Sequence, residues 1–209
     1  MDNQSLSFSS YELLEMISNI SYSLYALHYA SLYGFLDVTG DYAFLYDKIC
    51  CALLAIHVTI LMIYDLFRSF YVRKKFASLQ MLFHHMVCIS CNIFALTYAD
   101  FKFGLLMYMS EISTPLLMIR NKLKENGVKG PKYDIMNGTF GIVFIIFRLL
   151  IFPRLVLYNF FYVVFPNMCN HTSNPAQIFI SFSSLILLVL NIYWGILVIK
   201  GFIKYFDKK

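Results

Sequence analysis

The twenty residues "LQMLFHHMVCISCNIFALTY", Leu79–Tyr98, decide how the chain is read. They are apolar almost throughout and long enough as a helix to cross roughly 30 Å of hydrocarbon. Two adjacent histidines, His84 and His85, nevertheless sit inside them. A water-soluble helix would show a polar face, whereas this stretch reads as a membrane span that has kept ionisable groups at a cost.

The rest of the chain follows the same pattern. Of 209 residues, 59% are hydrophobic and 14% charged, against roughly 45–50% and 25% for an ordinary soluble domain. Further stretches qualify as spans at 16–36, 48–67, 103–120, 135–152 and 177–200, the first of them rich in Ser and Tyr. The expectation is an all-α, multi-pass membrane protein: a tail at 1–15, a transmembrane domain at 16–205 and a tail at 206–209. A shorter apolar run at 155–165 cannot cross alone. It either continues the fifth helix past Pro153 or lies at the interface as a seventh helix. The N-terminal stretch has no basic segment leading into an apolar one, so insertion is expected to depend on the first span.

Orientation follows from Lys and Arg in the short connections. Arg68, Arg73, Lys74 and Lys75 follow the second span. Arg120, Lys122, Lys124, Lys129 and Lys132 follow the fourth, and Lys200, Lys204, Lys208 and Lys209 end the chain. These three regions are expected in the cytosol, with both termini. The sequon Asn170 to Thr172 then falls on the lumenal side, where it is usable. The net charge of +5 is mostly these clusters, which suit orientation and anionic headgroups, and no nucleic-acid partner is expected.

Polar groups inside spans need a reason. His84 and His85 lie roughly 8 to 9 Å below the cytosolic edge at 1.5 Å per residue, with Asp65 nearer that edge and His57 deeper. Glu111 falls near the midplane, Arg148 further towards the lumen, and Asn191 near the depth of Glu111. A carboxylate such as Asp65 beside an imidazole would set its tautomer and basicity, as a general base or nucleophile requires. Packing is the competing role for each histidine. Glu111 and Arg148 can neutralise each other, as glue between helices or as part of a cavity. Pro115 leaves the Glu111 carbonyl without its helical donor, so a kink is expected there. His84, Cys88 and Cys91 share a helical face, but no fourth ligand is visible, so no metal and no cofactor are expected. The cysteines in apolar stretches read as packing groups, and no disulfide framework is seen.

The ordered series "LHYASLYGFLD" (27–37), "IYDLF" (63–67), "FHHMV" (83–87), "SEISTPLL" (110–117), "NGTFGIVFIIFRLL" (137–150) and "LNIYWG" (190–195) resembles the TLC-domain family. That family includes the ceramide synthases and a set of small TLC-domain-containing proteins, and the small members are the nearer likeness. The chain has the paired histidines of the synthases but Glu111 in place of their aspartate pair. The resemblance implies a ring of six transmembrane helices around a lipid cavity open to the cytosol, in the endoplasmic reticulum or a connected membrane. It also implies a role in lipid homeostasis, with His84 and His85 handling an acyl group from acyl-coenzyme A as substrate. The alternative is a non-catalytic lipid-binding, lipid-trafficking or cargo-handling protein. A channel has less behind it, since no inverted repeat is apparent. The oligomeric state is left open.

Overall fold

The computed structural model describes residues 7–33, 45–71, 79–98, 102–170 and 175–206. Arg73, Lys74, Lys75, Lys208, Lys209 and the last two sequon positions lie outside them. The described residues are helical, with no strand. Helix α1 runs Ser10–Tyr33, α2 Leu45–Tyr71 and α3 Leu79–Tyr98. Helix α4 (Lys102–Met107) passes through a 3₁₀ turn, Tyr108–Ile112, into α5 (Ser113–Glu125). Helix α6 (Pro131–Phe144) leads into a π-helical stretch, Ile145–Ile151, then α7 (Phe152–Tyr158), a second π stretch, Asn159–Val164, and α8 (Phe165–Cys169). Helix α9 is Pro175–Phe206.

Four helical stretches are long and apolar enough to cross a membrane: Ile49–Arg68, Leu79–Thr97, Pro131–Cys169 and Pro175–Lys204. Two expected spans differ for physical reasons. The serines of α1 lower its hydropathy, and the fourth stretch is broken by the 3₁₀ turn.

The run at 155–165 continues the fifth helix. A proline inside a helix lacks the N–H and presses its ring on the carbonyl four residues back. Pro153 and Pro166 each stand just beyond a π stretch that holds the affected residue, Leu149 or Tyr162. The wider i→i+5 turn accommodates the ring without ending the helix.

The molecule is apolar outside. Ile49, Leu53, Ile56, Ile60, Ile63 and Phe67 form an exposed stripe along one face of α2, the spacing of a single helical side. Buried positions include Ser23, Ser113, Ser181, Ser184, Arg148, Asn159 and Asn191. Such a distribution suits lipid as the surrounding solvent, where small and polar residues hold helices together. Asn159 donates to Ser181 at 2.6 Å and Tyr108 to Asn92 at 2.6 Å.

Neighbours succeed one another as α2 on α3, α3 on α9, α9 on the α6-to-α8 run, α6 on α5, and α5 with its 3₁₀ turn on α1. Side chains join α1 to α2: Ser18 Oγ is 3.2 Å from His57 Nε2, and the Tyr11 and Tyr64 rings are 4.7 Å apart. Two glycines stand under side chains where the α6-to-α8 run meets α9. A methyl group at Gly141 would fall within the ring of Phe202, and one at Gly195 would come 2.7 Å from both Leu149 methyls.

Helix α1 begins ahead of residue 16 because its first turn is capped. Ser9 N–H donates to Glu12 Oε2 at 2.8 Å, while Glu12 N–H donates to Ser9 Oγ at 3.2 Å, a reciprocal capping box. Lys122 on α5 approaches the same carboxylate at 3.6 Å. The Ser9 backbone bond, then the Ser9 hydroxyl and Lys122, hold the Glu12 carboxyl below its ordinary range.

Candidate functional site

A cavity of about 520 Å³ lies between α1, α2, α3, α5, α6 and α9, within the usual size of small-molecule sites, roughly 300–1,000 Å³. Its walls at one end are Tyr11, Asp65, Met81, Arg120, Tyr133 and Phe202. In sequence, these sit near helix ends, all but Tyr11 next to the basic connections. Tyr22, His84, Glu111, Arg148 and Trp194, nearer the helix centres, form the inner end.

The inner end is polar and extensively bonded. Arg148 Nη2 meets Glu111 Oε1 and Oε2 at 3.1 and 3.0 Å and Thr114 Oγ1 at 3.1 Å. Its Nε donates to the Ser110 carbonyl at 3.1 Å and to Ser113 Oγ at 3.0 Å, and Nη1 reaches Asn191 Oδ1 at 3.2 Å. Thr114 also donates to Glu111 Oε2 at 2.6 Å. Side chains also donate to the backbone of the 3₁₀ turn: Ser23 Oγ to the Tyr108 carbonyl at 3.2 Å, and Arg148 Nε and Ser113 Oγ to the Ser110 carbonyl at 3.1 and 3.2 Å. The expected kink at Glu111 is thus a 3₁₀ turn that begins before Pro115.

The two histidines are divided. His84 is buried, edge-on to Trp194 at 5.4 Å, with Cys88 Sγ 3.8 Å from its Nε2. Trp194 also lies 6.0 Å from the Arg148 guanidinium, so His84 packs onto the polar inner end. His85 turns towards α2, its Nδ1 3.8 Å from Asp65 Oδ2 and without a hydrogen-bond partner. That separation is ion-pair range, beyond a hydrogen bond. The ring centroids of the pair are 5.7 Å apart.

His57 stands apart from the cavity. It is exposed at the seam of α1 and α2, bonded to Ser18 and edge-on to Tyr22. Asn191 is buried behind Arg148 and does not line the cavity. Among the described residues no three His, Cys, Asp or Glu side chains come together as metal ligands.

Sequence reasoning passed over Trp194 and the polar residues of α1 that border the cavity. Tyr11, Glu15 and Asn19 recur every four residues, the spacing of one helical face. Tyr11 and Glu15 lie ahead of the span expected at 16–36, so the hydropathy of that span carried no signal of them.

A sequence profile of the TLC domain matches residues 9–200. No curated protein and no solved structure matches the chain.

Proposed function

The chain belongs to the TLC-domain family, and from that premise we propose a six-span membrane protein of lipid homeostasis that transfers an acyl group from acyl-coenzyme A to a lipid acceptor. Support for six spans in a ring comes from the succession of helix neighbours and from side-chain contacts that join α1 to α2. The proposal includes residence in the endoplasmic reticulum or a connected membrane with both termini cytosolic, for which the basic connections and the family resemblance are the support.

The observation that carries the catalytic reading is the His85 imidazole on the cavity wall, with a carboxylate 3.8 Å away and its Nδ1 otherwise unpartnered. His85 accepts the proton of the acceptor's hydroxyl or amine as that atom attacks the acyl carbonyl. The thioester carbon–sulfur bond breaks, and the departing thiolate takes a proton from the imidazolium. Asp65 orients His85 and steadies its charged form, moving into hydrogen-bond range as the ring is protonated. His84, packed against Cys88 and Trp194, lines the inner end of the cavity beside its neighbour. Glu111, Arg148 and Asn191 hold the inner end of the cavity in shape.

The second reading, a lipid-binding or trafficking protein without catalysis, has its own support. The Glu111–Arg148 cluster bonds within itself, as structural glue does, and His84 is packed. The purified protein incubated with palmitoyl-coenzyme A and a membrane lipid extract distinguishes the two by mass spectrometry. Wild type should form an acylated lipid that His85→Ala does not, with both variants melting alike. Bound lipid without product, in a folded wild type, moves the assignment to the non-catalytic reading.

A further inference from the structure

Close backbone packing closes the ring of helices at every step but one. α2 rests on α3, α3 on α9, α9 on the α6-to-α8 run, α6 on α5, and α5 with its 3₁₀ turn on α1. Between α1 and α2 the backbones scarcely approach, and side chains bridge the gap. The Arg68 guanidinium carbon lies 4.8 Å from the Tyr11 ring centroid, and the Tyr11 and Tyr64 rings are 4.7 Å apart. Deeper in, Ser18 Oγ is 3.2 Å from His57 Nε2, and the Tyr22 and His57 rings meet edge-on at 5.7 Å. Tyr11, Ser18 and Tyr22 recur at intervals of seven and four residues, as do His57, Tyr64 and Arg68, so each set occupies one face of its helix.

This seam is one layer of side chains thick. Tyr11 and Tyr22 line the cavity, while the partners they touch across the seam, Tyr64 and His57, are exposed on the outer surface. Ile17 on α1 and Ile56, Ile60 and Ile63 on α2 are exposed on the same two helices, as suits a surface in contact with lipid chains. Behind the seam the α2 wall of the cavity is apolar as well, in Val58, Leu61 and Met62. An acyl chain crossing here would pass from hydrocarbon to an apolar lining. Entry by the outer end would take the same chain out of hydrocarbon and past Arg120 and Asp65, which the hydrophobic effect opposes. An imidazole exposed at membrane depth, as His57 is, also needs a reason. Among the described helices α2 packs closely on α3 alone, so it can tilt away from α1 by breaking only the contacts of the seam.

We propose that the α1–α2 seam is a side entrance through which the acyl chain of a bilayer lipid reaches the cavity, with Tyr11–Tyr64 and Ser18–His57 as the contacts that part. The assignment rests on the lipid-cavity reading given above and deepens it, by naming the bilayer as the source of the lipid and the seam as its route. It does not depend on His85 being catalytic.

Trp194 is the chain's only tryptophan and borders the cavity, so its emission reports a brominated chain that arrives there. Ser18→Cys with His57→Cys, made in the full-length protein without the native cysteines, can be bridged in detergent by a short bifunctional methanethiosulfonate. The locked protein is then moved into nanodiscs of dibromostearoyl phosphatidylcholine. Wild type and the unbridged variant should lose most of their Trp194 emission relative to nanodiscs of unbrominated lipid. The locked protein should keep most of it, and a reductant that cleaves the bridge should bring on the loss. Phe94→Cys with Phe179→Cys, bridged where α3 meets α9, should quench as wild type does. Tyr11→Cys with Tyr64→Cys locks the same seam at another level and takes the place of the first pair if that variant fails to fold.

Quenching of the seam-locked protein as fast and as fully as that of the α3–α9 lock overturns the proposal. Chains would then enter by another route, and the lipid-cavity reading would stand. Emission retained by wild type in brominated lipid would remove both, since no chain would be reaching the cavity.

Discussion

Arg148 shows how a buried charge can serve as a connector. It joins the first π stretch to the 3₁₀ turn, to α5 through Ser113 and Thr114, and to α9 through Asn191, so one side chain ties its own stretch to three others. Removing one member of a buried pair leaves the other uncompensated, at a cost of about 3–5 kcal/mol. Arg148→Met is therefore expected to lower unfolding stability in detergent by about that amount, with Glu111→Gln costing less because a neutral amide can still accept from Arg148 and Thr114. Combining the two should cost less than the sum of the single effects, since the orphaned carboxylate disappears. Strict additivity in a denaturant series would mean that the pair is not coupled. The pairing itself was legible in the sequence, because two opposite charges in apolar stretches at similar depth have few other ways to be neutralised. The roles of Ser110, Ser113 and Trp194 were not, because they depend on a backbone break and on which face α9 presents.

At the scale of the element, helices were easier to read than their ends. Alternation of apolar stretches with basic connections located α2, α3 and α9, but the 3₁₀ turn at Tyr108–Ile112 and the two π stretches arise from tertiary packing and proline sterics that hydropathy does not register. The start of α1 did have a local signal: Ser9 and Glu12 stand at capping-box spacing. This element carries a pH dependence of definite sign. The folded-state pKa of Glu12 is lowered, chiefly by the Ser9 N–H. Its contribution is therefore complete above the ordinary carboxylate pKa, about 4.3, and is lost as pH falls through the lower folded value. Hydrogen-exchange protection of the first turn of α1 should hold from pH 7 to about pH 5 and fall on further acidification, whereas Glu12→Gln should flatten that dependence. Protection that instead rises in acid would contradict the cap.

At the scale of the whole molecule, charge at the ends of the helices and charge within the cavity belong to one arrangement. Lys and Arg in the connections are the orienting signal of the proposed topology, and the same helix ends place Arg120, Tyr133 and Asp65 around the outer part of the cavity, so the orientation determines which compartment can supply a ligand. The family and the membrane character were legible because six motifs in order constrain a chain more than any one does. The place of Arg120 in the cavity wall was not, since an arginine at a helix end reads as one more orienting charge and only the packing of α5 on α6 brings Asn137 to its Nε. If the orientation follows the basic connections, Asn170 faces the lumen and residue 129, between α5 and α6, faces the cytosol. Expressed in microsomes, the chain should gain a glycan that endoglycosidase removes and Asn170→Gln abolishes. A Lys129→Cys variant made without the native cysteines should react with an impermeant maleimide from the outside of sealed vesicles. Labelling of residue 129 only after the vesicles are opened would reverse the bundle, turn the cavity to the lumen and deny a cytosolic acyl-coenzyme A its route to His85.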